Sequence, residues 1–333
     1  MNWLITGGAG YIGSHVVEAM QAAGEEVVVI DDLSTGSRDR VSGVPFVHAE
    51  VGDVDAVVAA VQRFGVTGVV HLAAKKQVEE SVRRPLYYYQ QNVEGLRSVL
   101  SACLLTNIET FVFSSSAAVY GAPDAVTVSE NTLCEPVNPY GRTKLIGEQM
   151  LLDLAEAEAL RFVSLRYFNV AGTVRPELAD LGSSNLVPMV FDRLEAGSAP
   201  LIFGDDYPTP DGTCVRDFIH VGDVASAHVA AASALASGQV ERLTANIGRG
   251  AGVSVREMIE EILSVTGFAD ETWAMPEVHP RRLGDPAQVV AAVDRVADAI
   301  GWRARHDLKD MVTSSWEART RSTSVESRMR DAE

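Results

Sequence analysis

Short apolar runs alternate with amphipathic segments over the first half of the 333-residue chain. Apolar positions at helical spacing lie between most of these runs. The runs themselves predict strands at Trp3–Thr6, Val27–Asp31, Pro45–His48, Gly68–Leu72, Thr110–Ser114 and Phe162–Arg166. Strands that alternate with helices in this way are typical of an α/β fold with a doubly wound parallel sheet. Ligands of such folds bind beyond the carboxyl ends of the strands.

A glycine-rich turn, with Gly7, Gly10 and Gly13, follows the first strand and leads into a helix predicted to start near Tyr11. Gly7 permits a tight turn, Gly10 lets backbone N–H groups approach a pyrophosphate, and Gly13 allows the helix to pack closely on the sheet. The second strand ends at Asp31, where a carboxylate can accept both ribose hydroxyls and repel a 2′-phosphate. The pattern predicts a Rossmann-type fold that binds NAD rather than NADP.

The second half of the chain lacks the regular alternation and is rich in Gly, Pro and Asp loops. Predicted helices in this half lie near Val187–Ala196, Val221–Ser237 and Val255–Thr266. We assign residues 1–170 to an NAD-binding domain, to which residues 221–247 return, and residues 171–317 mainly to a smaller substrate-binding region. The tail, residues 318–333, is polar and charged without periodicity, which predicts disorder.

Composition narrows the class of protein. The chain has 45 acidic and 28 basic residues, a net charge of −17, which argues against nucleic acid and membrane surfaces as partners. Three widely spaced cysteines, Cys103, Cys134 and Cys214, show no metal-ligand pattern, so we expect reduced thiols and no metal site. The first strand begins at Asn2, with no signal peptide or apolar run long enough to span a membrane, which favours a cytoplasmic enzyme.

Candidate chemistry lies at Tyr140 and Lys144, four residues apart after Asn138-Pro139, and at Ser116 beyond a strand end. If Asn138 begins a helix, Tyr140 and Lys144 share one face. A nearby ammonium favours the phenolate, so Tyr140 can act as a general base while Ser116 aligns the hydroxyl being oxidised. Tyr-x-x-x-Lys alone is common on helix surfaces; the nucleotide-binding pattern and the serine make an oxidation site the better interpretation.

Five segments carry a resemblance to a known family: TGGAGYIGSH, SSSAAVYG (Ser114–Gly121), NPYGRTK (Asn138–Lys144), LRYFNVAG (Leu165–Gly172) and FGDDYPTPDGTCVRDFIHV (Phe203–Val221). Over about residues 1–317 the chain resembles the UDP-glucose 4-epimerase family of extended short-chain dehydrogenases/reductases. The resemblance implies 4-epimerisation of UDP-hexoses, with bound NAD and a transient 4-keto sugar. It also implies a homodimer, in which enzymes of this kind pair two helices from each subunit.

The resemblance also implies which residues bind the ligands. The catalytic residues are Ser116, Tyr140 and Lys144. The NAD site comprises Gly7, Gly10, Tyr11, Ile12, Gly13, Asp31, Asp53, Val54, Leu72, Ala73, Ala74, Lys76, Asn92, Tyr140, Lys144 and Phe168, to which we add Ser114 at the end of its strand. The UDP-sugar site comprises Ser116, Tyr140, Asn169, Asn185, Leu186, Arg216, Arg282 and Asp285.

Val289, four residues beyond Asp285, corresponds to a position that borders the substituent on sugar carbon 2 in related epimerases. A small residue there leaves room for an acetamido group, so N-acetyl sugars are candidate substrates as well. The alternative interpretation is that Val289 is only a core residue.

Other functions remain open on the sequence. A UDP-uronate epimerase or decarboxylase of the same family keeps Ser, Tyr and Lys. A non-catalytic NAD-sensing regulator would be free to lose them. A dehydratase is disfavoured because Ala117 follows Ser116 where such enzymes have an acidic pair.

Overall fold

The computed structural model describes the backbone of residues 1–330, except 124, 181, 183, 184, 283 and 284, and side chains as far as residue 321. The described strands are β1 Asn2–Thr6, β2 Glu26–Asp31, β3 Phe46–His48, β4 Gly68–His71, β5 Thr110–Ser116, β6 Thr127–Val128, β7 Arg161–Tyr167, β8 Asn169–Ala171, β9 Leu201–Phe203, β10 Val215–His220, β11 Arg242–Ile247, β12 Gly252–Ser254, β13 Glu277–His279 and β14 Gln288–Ala291. The described α-helices are α1 Tyr11–Ala22, α2 Val54–Phe64, α3 Val78–Arg83, α4 Pro85–Tyr88, α5 Gly95–Thr106, α6 Pro139–Ala157, α7 Leu186–Glu195, α8 Val221–Ala236, α9 Val255–Thr266, α10 Asp294–Ile300 and α11 Leu308–Arg330.

A parallel sheet forms the centre of the molecule. Over the described residues its strand order is β11-β7-β5-β4-β1-β2-β3, and every neighbouring pair is parallel. The order changes direction at β1, so the loops after β1 and β4 diverge and leave a crevice at the carboxyl edge. The predicted doubly wound α/β fold is confirmed.

Two apolar cores cover the faces of this sheet. Helices α1 and α8 pack on one face, where Ile5, Val70 and Ile219 are fully buried. Helices α2, α5 and α6 cover the other face around Leu4 and Phe111. Because both faces are covered, the strands are nearly continuous apolar runs, which is why they stand out in the sequence.

Residues 221–247 lie within this layer, since α8 packs on α1 and β11 pairs with β7 from Arg242 opposite Phe162 to Ile247 opposite Tyr167. A second, smaller sheet has the order β12-β10-β14-β6, with β8 also paired to β10. Helices α7, α9 and α11 enclose a separate apolar core beside it.

Helix α11 continues to Arg330 and so includes residues 318–330, for which the polar composition predicts disorder. Met311 and Val312 in its first turns are fully buried against α9, and this packing anchors the helix. Polar residues then continue the helix without an apolar face of their own, a situation that periodicity in the sequence does not reveal. Residues 331–333 lie outside the described residues.

Candidate active site

The turn between β1 and α1 has the geometry that its glycines permit. Gly7 has a φ of +70°, and a Cβ atom there would lie 2.7 Å from the backbone N of Ala73. A Cβ atom on Gly13 would lie 2.1 Å from the Gly7 carbonyl oxygen. Gly10 is the N-cap of α1 and has no side chain with which to bond the first N–H groups of the helix. These N–H groups are therefore available to an anion, as a pyrophosphate requires.

A cleft of about 860 Å³ opens at this turn, at the carboxyl edge of the large sheet. A volume of this size suits a large organic ligand. The predicted cofactor residues that line it are Gly7, Gly10, Tyr11, Ile12, Gly13, Asp31, Leu72, Ala73, Ala74, Lys76, Ser114, Tyr140 and Lys144. The cleft, the glycine turn and the uncapped helix together fit a dinucleotide.

Asp31 ends β2 and is 7% exposed, and both of its carboxylate oxygens accept backbone hydrogen bonds. The N–H of Ala9 donates to Oδ2 at 3.0 Å and the N–H of Leu33 donates to Oδ1 at 2.8 Å. Burial raises the pKa of Asp31, while these two bonds oppose the rise. Two bonds leave further lone pairs on the carboxylate, so Asp31 can still accept ribose hydroxyls in the cleft.

Four predicted cofactor residues do not line this cleft. The side chain of Asp53 caps α2 by accepting the Ala56 N–H at 3.0 Å, and Val54 is the first residue of that helix. Phe168 lies in a small apolar cluster with Val289. The sequence pattern of an acid after a strand does not separate a helix cap from a ligand, because both use the same carboxylate.

Asn92, the fourth, holds the neighbouring loop instead. It lies in a π-helical segment, Tyr89–Glu94, between α4 and α5. Its side chain accepts the N–H of Lys75 at 2.8 Å and donates to the Lys75 carbonyl at 3.0 Å and to the Thr143 hydroxyl at 3.0 Å. Asn92 therefore joins the loop after β4 to helix α6.

The candidate catalytic residues meet where β5 and α6 approach each other. Ser116 ends β5, and the Asn138 side chain caps α6 by accepting the Gly141 N–H at 2.9 Å, so Tyr140 and Lys144 lie one turn apart. A hydrogen bond joins the side chains of Tyr140 and Ser116 and lowers the pKa of Tyr140, but burial raises it more. Tyr140 is therefore a neutral phenol near pH 7.

Lys144 is 4% exposed, and its Nζ donates to the carbonyl of Ser114 at 2.7 Å. Burial lowers its pKa to about 7, while Glu148 acts in the opposite direction. The ammonium also lies 5.1 Å from the centre of the Phe113 ring. Lys144 is thus attached to the strand that carries Ser116.

Most of the predicted UDP-sugar residues are grouped around β10. Arg216 on β10 pairs in register with Val289 on β14, and its guanidinium lies 3.5 Å from the carboxylate of Asp285. Asn169 on β8 pairs with Phe218, two residues further along β10. Arg282 lies with its guanidinium 4.1 Å from the centre of the Phe203 ring. Leu283 and Gly284, between Arg282 and Asp285, lie outside the described residues.

Asn185 and Leu186 lie at the start of α7. The Asn185 side chain donates to the carboxylate of Asp180 at 2.5 Å and makes no capping bond to the helix. Asp180 lines the cleft beside Tyr11. Arg40, also on the cleft wall, donates to the carbonyl groups of Leu178 and Ala179 at 3.1 and 2.7 Å, which attaches the loop before α7 to the segment after β2.

Three polar groups near the site were not found from the sequence. Tyr167 lines the cleft and bonds the Ser114 hydroxyl. Lys75 donates to the Ser34 hydroxyl at 2.6 Å across the cleft. A buried ion pair joins Glu148 and Arg166. The only signal in the sequence is a charged residue in an apolar context, Arg166 within FVSLRY, because the partners come from distant segments.

The fold and site define a class: an α/β enzyme with a dinucleotide cleft, with Tyr140 and Lys144 on its wall and Ser116 bonded to Tyr140. Residues 3–248 match the model of the NAD dependent epimerase/dehydratase family. The chain belongs to this family.

The chain is also similar to named proteins and solved structures over almost its whole length. The chain is 44% identical to a UDP-glucose 4-epimerase from Azospirillum brasilense, over 94% of this chain and 91% of that protein. It is 40% identical, with a TM-score of 0.92, to the UDP-glucose 4-epimerase from Stenotrophomonas maltophila with bound NAD and formylated UDP-arabinopyranose; 97% of this chain and 99% of that one are covered. The UDP-Glc/GlcNAc 4-epimerase from Campylobacter jejuni has a TM-score of 0.83 at 35% identity, covering 96% and 99%.

No helix among the described residues is long and apolar enough to cross a membrane.

Proposed function

We propose that this protein is an NAD-dependent isomerase that interconverts UDP-galactose and UDP-glucose at carbon 4. The observation that carries the proposal is that Tyr140 and Lys144, one turn apart on α6, line the dinucleotide cleft, with the Ser116 side chain bonded to Tyr140. The 4-epimerase relatives over almost the whole chain support the same reaction.

The roles of the residues follow from their chemistry. NAD would be held in the cleft and would supply a hydride acceptor and donor for sugar carbon 4, so that the hydrogen can return to the opposite face of the 4-keto sugar. Tyr140 accepts the proton of the 4-hydroxyl and gives it back, and Ser116 bonds the same hydroxyl. The positive charge of Lys144 favours the phenolate form of Tyr140.

The UDP group needs a local positive site in a protein of net charge −17. Arg216 and Arg282 supply it, since guanidinium groups match phosphate oxygens with two parallel hydrogen bonds. Arg216 is held near Asp285 at 3.5 Å, so its guanidinium is oriented before the ligand arrives. This anchor holds the nucleotide while the sugar ring turns over, which separates remote binding from local chemistry.

The N-acetyl forms are included in the proposed substrates. Val289 is 7% exposed and packs in one cluster with Phe168 and Ala117, the residues adjacent to Asn169 and Ser116. It therefore lies next to the predicted sugar site without an aromatic ring to fill it. A neighbour in structure is named a UDP-Glc/GlcNAc 4-epimerase, which is consistent with this proposal.

The other functions weighed on the sequence are not favoured. A UDP-uronate epimerase or decarboxylase and an NAD-sensing regulator both fit the fold, but the relatives of highest identity reported above are named 4-epimerases. A regulator would also have no need of the paired Tyr140 and Ser116.

One assay of the reaction products tests the proposal. The purified protein is given UDP-galactose, UDP-N-acetylgalactosamine and UDP-glucuronate in separate reactions, and the products are separated by chromatography. We expect UDP-glucose and UDP-N-acetylglucosamine from the first two, without added NAD. Turnover of the uronate alone, or of none of the three, would contradict the proposed reaction.

The proposed site of action is the cytoplasm, and the proposed assembly is a homodimer. Free cysteines Cys103, Cys134 and Cys214 suit a reducing compartment. Tyr88, Leu96, Val99 and Cys103 are buried in the subunit's own core. Leu104 and Leu105 on α5 and Leu152 on α6 are among the apolar side chains that remain exposed. Light scattering during gel filtration measures the mass, and a monomer at all concentrations would exclude the dimer.

A further inference from the structure

A buried ion pair lies behind the candidate active site. Glu148 follows Lys144 by one turn of α6 and is 3% exposed; Arg166 on β7 is 6% exposed. Arg166 donates from Nε to Oε1 of Glu148 at 2.8 Å and from its terminal nitrogen to Oε2 at 2.5 Å. This two-point contact fixes the orientation of both side chains as well as their distance.

The same two side chains bind the strand and the turn that carry Ser116. The Ser115 hydroxyl donates to Oε1 of Glu148 at 2.5 Å. Arg166 donates to the Tyr120 hydroxyl at 3.0 Å, and Tyr120 lies in the 3₁₀ turn, Ala117–Tyr120, directly after Ser116. The Glu148 carboxylate therefore links α6, β5 and β7, and Arg166 connects them to the 3₁₀ turn after β5.

Stability alone does not account for this pair, because a buried ion pair contributes little compared with apolar side chains of the same volume. Its geometry has a more specific consequence. Ser116 reaches the site from β5, whereas Tyr140 and Lys144 reach it from α6, so the relative position of these two elements sets the distances within the group. The Ser115 bond to Glu148 joins β5 to α6 one turn from Lys144, in addition to the bond from Lys144 to the Ser114 carbonyl.

We propose that Glu148, with Arg166, is a positioning residue of this site, which sets where Tyr140 and Lys144 lie relative to Ser116 and keeps Lys144 charged. This inference rests on the proposed function, since it gives the pair a task only if the three residues are catalytic.

The charged groups around Lys144 determine the direction in which each substitution should move its pKa. The titratable or charged groups near it are Glu148 and Tyr140 on α6, His71 on β4, Arg166 and Tyr167 on β7, and Tyr88 near Tyr140. Burial lowers the pKa of His71 to about 3 and raises those of the tyrosines, so these groups are neutral near pH 7. Glu148 raises the pKa of Lys144, and Arg166, paired with the same carboxylate, offsets the negative charge of Glu148.

The test uses the pH profile of kcat for UDP-galactose, whose alkaline limb reports loss of the Lys144 proton. Glu148→Gln leaves Arg166 unbalanced, so we expect the limb to move to lower pH by about one unit, and kcat at neutral pH to fall at least about tenfold. Arg166→Gln leaves Glu148 unbalanced and moves the limb to higher pH. KM changes little in either variant, because neither residue belongs to the proposed UDP-sugar site.

Opposite shifts are the diagnostic result, since a purely structural role lowers kcat without moving the limb. Shifts in the same direction, or none, would overturn the proposal. If the single variants fold poorly, the charge-neutral variant Glu148→Gln/Arg166→Gln takes their place. The alkaline limb of this variant is expected to stay close to that of the parent. Its kcat should remain low, because the side-chain bonds to β5 and to the following turn are lost. Recovery of full kcat would contradict the positioning role.

A second readout needs neither turnover nor bound cofactor. The pKa of Lys144 is about 7 in the fold, below its ordinary value, so above pH 7 the unfolded chain binds more protons than the folded one. Lys144 therefore makes stability rise with pH from about 7 upward, and denaturant titrations measure where the rise begins. The onset should move down in Glu148→Gln and up in Arg166→Gln.

Glu156→Gln is the matched control, because Glu156 lies on the same helix but is exposed. It should leave kcat, the pH limb and the stability profile unchanged. Tyr140→Phe and Lys144→Met separate this inference from the proposed function. If they retain full activity, the proposed function fails; if they are inactive while the Glu148 and Arg166 variants show no opposite shifts, only the positioning role fails.

Discussion

Burial has opposite effects on the two titratable residues of the candidate site. It raises the pKa of Tyr140 and lowers that of Lys144 to about 7, because loss of water disfavours whichever form is charged. The hydrogen bond with Ser116 opposes the effect on Tyr140. Tyr140 is thus a neutral phenol near pH 7, and positive charge close to it favours its phenolate form.

Replacing Tyr140 tests its role as the base. Tyr140→Phe keeps the ring but has no hydroxyl, so we expect turnover to fall by about 10² to 10⁴ while UDP-sugar binding stays nearly unchanged. Initial rates and calorimetric binding measure the two effects. Ser116→Ala should also reduce turnover, and the double variant should be little worse than the more damaging single variant, since the two act as one unit. A loss below tenfold for Tyr140→Phe would exclude it as the base.

Asp31 is the residue that we expect to set the preference for NAD over NADP. Asp31→Ala removes a carboxylate that accepts two backbone N–H groups at the cleft wall, and with it the charge that repels a 2′-phosphate. We expect weaker discrimination against NADP, measured as the ratio of the two dissociation constants. Mass spectrometry of the denatured parent protein should release NAD; a parent that carries NADP would contradict this role for Asp31.

Val289 tests the N-acetyl proposal. Val289→Tyr adds an aromatic ring to the cluster beside Ala117 and Phe168, so it should suppress turnover of UDP-N-acetylgalactosamine more than that of UDP-galactose. The ratio of kcat/KM for the two substrates measures this. Equal loss on both would show that Val289 is only a core residue, and a parent without N-acetyl activity would refute the proposal directly.

At the level of elements, the cleft is bridged by side chains from two loops. Lys75 in the loop after β4 donates to Ser34 at 2.6 Å, and Ser34 in the loop after β2 donates to Asp32 at 2.6 Å. The backbone of Lys75 is bonded to Asn92, which reaches Thr143 on α6. The Lys75 loop is therefore held from both sides of the cleft.

Lys75→Met removes the link to Ser34 but keeps the backbone bonds to Asn92. We expect NAD to dissociate faster, by severalfold, since a solvent-accessible charged contact contributes about 0.2–1 kcal/mol. Release of NAD into buffer that contains a trapping dehydrogenase gives the rate. Lys309→Met, at an exposed site on α11, is the control. An unchanged rate in Lys75→Met would show that the bridge does not retain the cofactor.

At the scale of the whole molecule, four histidines are buried and have lowered pKa values. Burial lowers the pKa of His15, His220 and His228 to about 4 and that of His71 to about 3. Between these values and the ordinary one near 6.5, the unfolded chain binds more protons than the folded chain. The stability that these residues contribute is complete above pH 6.5 and is lost as the pH falls toward 4.

We therefore expect the free energy of unfolding to fall steeply below pH 6.5, by up to about 1.4 kcal/mol per pH unit for each of these histidines. Urea titrations between pH 4 and 7 measure the slope. His228→Leu should flatten the profile, because it removes one such group, whereas the exposed His48→Gln should not. A stability that is constant across this range would refute the prediction.

The sequence by itself determined the parallel sheet, the glycine turn and the helix of Tyr140 and Lys144. Each depends on neighbouring residues: the sheet is covered on both faces, so its strands are continuous apolar runs, and Asn138 caps the helix two residues before Tyr140. The residue types and their spacing carry this local information.

Only the tertiary structure decided the partners. Glu148 meets Arg166 and Ser115, and Lys75 meets Ser34, because pairs 18 to 41 residues apart are set by how elements pack. The helical tail was likewise decided by packing of Met311 and Val312 against α9. Contacts between distant segments depend on three-dimensional distance, which local periodicity does not encode.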